Sequence, residues 1–173
     1  MTNQIIIIGF MGTGKTSVAR ELALRLNCPG VDLDELITKN EGRSPKEIIE
    51  QVGENRFREI ETQTLRQVLI EGAARVVAVG GGAWTIAENR KLIAEEGAFT
   101  VWLDAPFELC WKRIEANREA RPLARSQEIA RKLYAGRRPV YESADARVTV
   151  KEYESIEEIA QKVASAASGT EGE

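Results

Sequence analysis

The sequence predicts an α/β fold of three layers, in which helices cover both faces of a parallel five-stranded sheet. Short apolar runs rich in β-branched residues alternate along the chain with segments of helical periodicity. The runs at 5–8 and 76–79 are continuously apolar, as is typical of strands buried on both faces. Because strand–helix–strand connections are right-handed and lead to parallel strands, ligands are expected at the carboxyl ends of those strands.

Length and composition fit one globular domain, which we expect to span 1–167, with a disordered tail over 168–173. The chain of 173 residues is 43% hydrophobic and 29% charged, so it is expected to fold unaided. Its formal net charge of -3 gives no sign of nucleic acid or an anionic membrane as a partner. No apolar run approaches the ~20 residues of a membrane span, and the cytoplasm is the expected location.

The sequence contains no histidine, which limits the metal sites and the general bases that the protein can have. Cys28 and Cys110 lie far apart in the sequence, and no histidine is present to complete a zinc site with them. Both are expected to be reduced thiols in the core. Without the commonest general base, any proton acceptor is expected to be a carboxylate.

The first strand–helix unit begins with four consecutive isoleucines at 5–8. A glycine-rich loop follows, and a helix is expected from about Lys15, because the apolar residues after it recur on one helical face. Pro29 and Gly30 are expected to stop this helix. A short second strand is predicted over 31–33.

Helix-capping signals organise the middle of the chain. Ser44-Pro45-Lys46-Glu47 supplies an N-cap, a first-turn proline and a capping-box acid, so a long helix is expected from there to about Glu71. The third strand, at 76–79, ends on three glycines. Thr85-Ile86-Ala87-Glu88 then predicts a second capping box and another helix.

A charged segment interrupts the last third of the chain. It follows a predicted strand at 99–103 and a helix from Pro106 to about Arg113, and it shows little apolar periodicity over about 114–127. We expect this segment to be a mobile lid. Beyond it the sequence predicts helical spacing at 129–134, a strand at 147–150 and a terminal helix capped by Ser155 and Glu158.

The glycine-rich loop carries the strongest motif. The segment at 9–16, GFMGTGKT, matches GxxxxGK[ST] directly after a buried strand and directly before a helix. In such a P-loop the backbone N–H groups surround phosphates, the lysine reaches the outer phosphates and the last hydroxyl ligates magnesium. ATP and Mg²⁺ are therefore expected, and no motif of a signalling GTPase is present. The expected nucleotide-binding residues are Gly12, Thr13, Gly14, Lys15, Thr16 and Ser17.

Two carboxylates lie at the carboxyl end of the second predicted strand. Asp32 and Asp34 flank Leu33, and side chains two apart on a strand point the same way. One carboxylate would then lie near magnesium, and the other would accept the proton of an attacking hydroxyl. The alternative is that both acids cap the helix that follows.

Arg58 and Glu61 are spaced so that the acid can steady a guanidinium that binds a carboxylate. A solvent-exposed ion pair explains the spacing equally well. The glycines at 80–82 fit close approach of backbone to a ligand, with a flexible strand exit as the alternative. Further arginines could bring positive charge to a transferring phosphoryl group, or could simply be solvated. They are Arg113, Arg118, Arg121, Arg125 and the pair Arg137-Arg138 that follows the next predicted helix.

Four motifs together resemble shikimate kinase over nearly the whole chain. They are GFMGTGKTS, then VDLDELI with GENRFREIE, then VGGGA, and finally RPLA with RRPVY. The resemblance implies a P-loop kinase fold and transfer of the ATP γ-phosphoryl group to the 3-hydroxyl of shikimate. This reaction belongs to chorismate and aromatic amino-acid synthesis.

The resemblance also implies roles for individual residues. Asp34 would activate the reacting hydroxyl, Arg121 would be the lid arginine that moves onto the phosphates, and Lys15 completes the implied catalytic set. Arg58 and Arg137 would clamp the shikimate carboxylate, although a slip of one residue would exchange Arg137 for Arg138. The remaining implied contacts are Gly80, Gly81, Gly82 and Phe57 with shikimate, Arg113 and Arg121 with the nucleotide, and Thr16 and Asp32 with the metal.

This sequence departs from the family pattern locally. Ala124 replaces the second leucine of the usual RPLL, and Ile114 follows Arg113 where a small polar residue is common. These changes concern lid closure and nucleotide affinity rather than the reaction. A gluconate kinase, an adenylate-type kinase and a regulatory module without turnover are the alternatives, and a monomer is expected.

Overall fold

The computed structural model describes residues 4–116 and 126–169. Five strands form one sheet in the order β2-β3-β1-β4-β5, and every neighbouring pair is parallel. The predicted three-layer α/β architecture is therefore confirmed. The strands are β1 (Ile5–Ile8), β2 (Gly30–Asp32), β3 (Val76–Ala78), β4 (Phe99–Asp104) and β5 (Ala146–Thr149).

Helices connect these strands and cover the sheet. The four isoleucines of β1 are at most 3% exposed, as expected for a strand inside the sheet with both faces covered. The helices are α1 (Lys15–Arg25), α2 (Leu33–Glu41), α3 (Pro45–Val52), α4 (Glu54–Glu71), α5 (Ala87–Glu95), α6 (Phe107–Ala116), α7 (Gln127–Tyr141) and α8 (Ile156–Ser168), with a short 3₁₀ helix at Ala83–Thr85.

The strand order explains where the site lies. β1 is bordered by β3 on one side and β4 on the other, so the chain passes from one half of the sheet to the other between β3 and β4. The loops after β1, β2 and β3 leave the same edge of the parallel sheet. This edge carries the glycine-rich loop, the two aspartates and the glycines at 80–82, as the sequence predicted.

The long helix predicted between Ser44 and Glu71 is two helices. α3 ends at Val52 and α4 begins at Glu54, and Gly53 between them has φ 90°. This positive φ is not helical, and glycine adopts it without the steric cost of a side chain. Because of this break, α3 packs against α4 instead of continuing it.

The boundaries near the predicted lid also differ. α6 continues to Ala116, and Ile114 is fully buried, so 114–116 belong to a helix rather than to a lid. α7 starts at Gln127 and includes Arg137 and Arg138, which the sequence placed after the helix. Pro139 lies in the last turn of α7, where its missing N–H costs one helical hydrogen bond. Of the other predicted lid residues, Ser126 is the N-cap of α7 and Gln127 is its first residue, and 117–125 lie outside the described residues.

Two of three predicted capping boxes form. Ser44 and Ser155 each accept a hydrogen bond from the backbone of a glutamate three residues later, and each glutamate bonds back. The box predicted at Thr85 is wrong, because Ile86 is the N-cap of α5 and the Thr85 hydroxyl bonds the Gly82 carbonyl instead. α8 reaches Ser168, so the predicted tail begins inside a helix.

The two thiols differ in burial. Cys110 is fully buried, but Cys28 is half-buried at the edge of the core, so the core assignment holds for Cys110 alone. Within 4–116 and 126–169, no helix is long and apolar enough to cross a membrane.

Candidate active site

The P-loop connects β1 to α1 and packs closely against α6. Gly12 has φ 82°, and a β-carbon there would lie 2.7 Å from the carbonyl oxygen of Cys110. Only glycine fits this position without moving backbone. The packing fixes the loop at the amino end of α1, where the first backbone N–H groups of the helix have no helical partner.

Two basic side chains, Lys15 and Arg113, donate hydrogen bonds to backbone carbonyls of the P-loop. Lys15 Nζ donates to the carbonyl oxygens of Gly9 and Phe10, each at 3.0 Å. Thr13 is buried and Ser17 is exposed. Arg113 of α6 donates from Nη1 to the Gly12 carbonyl at 3.1 Å, which places this predicted nucleotide-binding arginine beside the loop.

Asp32 joins the P-loop to α2. Its Oδ2 accepts a hydrogen bond from Thr16 Oγ1 at 2.5 Å, and its Oδ1 accepts from the backbone N–H of Asp34 and Glu35 at 2.9 and 3.2 Å. Asp32 is thus the N-cap of α2, and Leu33 is the first helical residue. The prediction that Asp32 and Asp34 share one face of a strand is wrong, and the capping alternative holds for Asp32.

Asp34 and Glu61 converge on Gly80. A β-carbon on Gly80 would lie 2.8 Å from Glu61 Oε1 and 3.2 Å from Asp34 Oδ1, so the two carboxylates face the same glycine. Glu61 is fully buried, and its Oε1 has no hydrogen-bond partner among the described residues. Burial raises the pKa of Glu61 to about 7, while nearby Arg58 acts in the opposite direction.

Arg58 lies between the glycines at 80–82 and two of the glutamates of α4, Glu54 and Glu61. Its Nη1 donates to Glu61 Oε2 at 2.8 Å, and its Nη2 donates to Glu54 Oε1 at 3.1 Å. The guanidinium also lies 5.1 Å from the ring centroid of buried Phe57. Because Glu61 is buried, the alternative of a solvent-exposed pair is wrong.

Arg137 approaches the same glycines from α7. It is 8% exposed, and its Nη1 would lie 3.4 Å from a β-carbon on Gly81. This nitrogen is buried and has no hydrogen-bond partner within the ranges that the structure describes. Arg138 points elsewhere, since its Nη1 donates to Asp104 Oδ1 at 2.6 Å. Arg137 is therefore the arginine of this pair that faces the site.

These groups surround one cleft of about 450 Å³. A larger cavity of about 660 Å³, beside Ile5 and Phe99 at the opposite edge of the sheet, contains none of the predicted site residues. The cleft is lined at one end by Lys15 and Thr16 and at the other by Asp34, Arg58, Glu61, Gly80, Gly81, Gly82 and Arg137.

Comparison with known proteins identifies the family of this chain. The family model "Shikimate kinase" matches residues 11–168. The chain is 38% identical over 165 residues to a shikimate kinase of Ruegeria pomeroyi, covering 94% of this chain and 83% of the relative. It is 40% identical over 163 residues to one of Geobacter sulfurreducens, covering 92% and 88%.

The chain belongs to the shikimate kinase family. The structure of shikimate kinase from Acinetobacter baumannii in complex with shikimate superposes with a TM-score of 0.91 at 31% identity, covering 100% of this chain and 97% of the other. A gluconokinase from Sinorhizobium meliloti reaches a TM-score of 0.57 at 15% identity, covering 98% of this chain and 93% of the other, which shows a shared fold alone.

Most residues implied by the shikimate kinase resemblance meet in the cleft, but the structure adds others. Pro45, Lys46 and Ile49 of α3 also line it; Pro45 and Lys46 were predicted only to start a helix, and Ile49 was not singled out. Their place depends on how α3 folds over the sheet, which no local pattern indicates. Arg118, Arg121, Ala124 and Arg125 lie outside the described residues.

Proposed function

We propose that this chain transfers the γ-phosphoryl group of ATP to the 3-hydroxyl of shikimate, giving shikimate 3-phosphate and ADP in chorismate and aromatic amino-acid synthesis. One observation carries the proposal. A single cleft holds the P-loop at one end and two arginines around a carboxylate and three glycines at the other. Membership of the shikimate kinase family supports the choice of acceptor.

The two arginines suit a small acceptor that carries a carboxylate. Burial lowers the pKa of Arg137, and this guanidinium forms no ion pair within the described residues. An unpaired buried charge is costly, and an anionic ligand would compensate it. Arg58 donates a hydrogen bond to Glu61, so the orientation of its planar guanidinium group is fixed before the ligand binds. We assign Arg58 and Arg137 to the acceptor carboxylate, with Phe57 as part of the apolar wall.

Asp34 is the proposed acceptor of the hydroxyl proton. It lies beside Gly80 in the cleft that also contains Lys15, so a hydroxyl held near these glycines can face the outer phosphate. As the hydroxyl oxygen bonds to the γ-phosphorus, its proton passes to the Asp34 carboxylate, and the bond to the ADP oxygen breaks. Because phosphoryl transfer has a loose transition state, precise positioning contributes more than a strong base.

Thr16 and Asp32 fit a magnesium site. A hydroxyl and a carboxylate oxygen already lie 2.5 Å apart, and magnesium usually takes few protein ligands, completing its shell with phosphate and water. The described residues contain no cluster of three or more acidic, cysteine or histidine ligands that would make a protein-only site. When bound with ATP, Mg²⁺ would neutralise charge that develops on the phosphates.

Further assignments complete the proposal. Gly12, Thr13, Gly14 and Ser17 would surround the phosphates with Lys15, and Arg113 would lie against the nucleotide. Arg121, outside the described residues, keeps its proposed role as the lid arginine that stabilises the transferring group. The enzyme is proposed to act in the cytoplasm as a monomer on small molecules, without a nucleic-acid or membrane partner.

The test is ADP release by the purified chain with ATP and Mg²⁺, comparing shikimate, gluconate, AMP and no acceptor. Stimulation by shikimate alone is expected. Preference for gluconate or AMP would leave the P-loop assignment intact and overturn the acceptor. No stimulation by any acceptor would favour a nucleotide-binding module without turnover.

A further inference from the structure

Tyr141 contacts both the glycine segment at 80–82 and Arg137. It is the last residue of α7, one helical turn after Arg137, and it is 1% exposed. Its hydroxyl donates to the carbonyl oxygen of Gly81, and the Arg137 guanidinium lies against the same glycine and interacts electrostatically with the phenol oxygen. A phenol has a single proton, so donation to Gly81 leaves the oxygen lone pairs for the guanidinium.

The neighbouring arginine has a matching partner. Arg138 donates from Nη1 to the Tyr134 oxygen at 2.8 Å, and the Tyr134 hydroxyl donates to the Ala105 carbonyl at 2.9 Å. One helix thus carries two arginine–tyrosine pairs, each spaced by four residues and each tied to a different backbone carbonyl. The pair with Tyr134 directs Arg138 toward Asp104, whereas the pair with Tyr141 directs Arg137 toward the cleft.

We propose that Tyr141 is a positioning residue for acceptor binding, which holds the Arg137 guanidinium against Gly81 at the wall of the cleft. The proposal rests on the proposed function in one respect, that Arg137 binds the acceptor carboxylate. Arginine loses rotamer freedom when it binds a ligand, and a side chain that is already held loses less. Without the hydroxyl, the carbonyl of half-buried Gly81 would lose a hydrogen bond and Arg137 would lose a polar neighbour.

Two further observations fit this role. Burial raises the pKa of Tyr141 to about 12, with Arg137 acting in the opposite direction, so the phenol keeps its proton and continues to donate at neutral pH. A second bond, from Trp84 Nε1 to the Val140 carbonyl at 2.9 Å, independently holds the end of α7 to the segment after the glycines. Removing the Tyr141 hydroxyl therefore leaves the helix attached.

The experiment compares Tyr141→Phe with Tyr134→Phe, which removes the same group from the pair that faces away from the cleft. Shikimate binding is measured by titration calorimetry, and KM and kcat are measured for shikimate and ATP. Tyr141→Phe is expected to weaken shikimate binding and raise its KM about tenfold, with the KM for ATP and kcat changed less than about twofold. Tyr134→Phe should leave shikimate affinity near that of the wild type.

Two controls separate positioning from general damage. The methyl ester of shikimate lacks the charge that Arg137 would bind, so Tyr141→Phe should not weaken its binding further. In an Arg137→Ala background, adding Tyr141→Phe should not weaken shikimate binding further. An unchanged affinity in Tyr141→Phe, equal losses for acid and ester, or additive losses with Arg137→Ala would each overturn the inference.

Failure of this inference can be told from failure of the proposed function. If the wild-type chain binds shikimate without turnover, the proposed reaction falls and the effect of Tyr141→Phe on binding still decides the inference. If the wild-type chain does not bind shikimate at all, both fall. Thermal unfolding of each variant identifies any loss of affinity that comes from loss of fold.

Discussion

Gly82 lies against the Arg58 guanidinium so closely that a β-carbon on the glycine would be 2.7 Å from Arg58 Cζ and 2.8 Å from Nη1. Contacts this short force something to move, and here the obstacle is the far end of a flexible side chain. An alanine at position 82 is therefore compatible with the fold, but it would displace the Arg58 guanidinium from its present position.

Gly82→Ala should raise the KM for shikimate about tenfold and leave the KM for ATP nearly unchanged, because the displaced Arg58 no longer meets the acceptor. Gly136→Ala is the matched control, since a β-carbon at Gly136 in α7 would meet nothing within 4 Å. Steady-state kinetics of both variants test this. An unchanged shikimate KM in Gly82→Ala would show that the position of Arg58 does not limit acceptor binding.

Removing the arginine itself should have a larger effect. Arg58→Ala is expected to raise the KM for shikimate by about thirtyfold, which corresponds to a lost charge-assisted contact of about 2 kcal/mol. Arg56→Ala is its control, because Arg56 forms a similarly spaced but exposed pair with Glu59 on the same helix. An equal KM for shikimate in the two variants would show that Arg58 forms a structural ion pair and does not bind the acceptor.

Asp34→Asn tests the proposed proton acceptor. The amide keeps the size of the side chain but cannot take the hydroxyl proton, so kcat should fall by at least about a hundredfold while ATP binding is retained. Glu41→Gln, at the exposed end of the same helix, controls for the loss of one negative charge. Near-normal turnover by Asp34→Asn would remove Asp34 from the catalytic role.

The nucleotide end of the site could be predicted because its signals are contiguous in sequence. The buried strand β1, the P-loop and the helix α1 follow one another in the sequence, and their geometry is nearly independent of the rest of the chain. Asp32 shows the limit of this approach. Its two oxygens bond the α2 cap and Thr16 at once, so the capping interpretation is correct for Asp32, and its place beside magnesium stays a prediction.

The acceptor end depends on long-range packing and was predicted less completely. Local rules treat Pro139 as a helix breaker, but it occupies the last turn of α7 and leaves Arg137 on a helix facing the cleft. Similarly, Gly53 was not recognised as the break that turns α3 over the site, and so Lys46 was missed. The role of Tyr141 depends on a contact with Gly81, 60 residues away in sequence, which no periodicity indicates.

The burial of Glu61 predicts a pH-dependent stability. Its pKa is about 7 in the folded protein, whereas a glutamate in an unfolded chain titrates near ~4.3. Between these values the folded state holds a proton that the unfolded state has released, so the free energy of unfolding should fall as pH rises through this window. Above about pH 7 both states have lost the proton, and this decrease should be complete.

Glu61→Gln removes this titration while keeping the size of the side chain. From pH 5 to pH 8 its free energy of unfolding should increase relative to that of the wild type by more than about 1 kcal/mol, because only the wild type must ionise a buried acid. Urea unfolding of both proteins at the two pH values measures the change. The effect should exceed that of Glu59→Gln, which removes an exposed carboxylate from the same helix. Equal changes in the two variants would mean that Glu61 is ionised in the folded protein throughout this range, paired with Arg58 as an ordinary carboxylate.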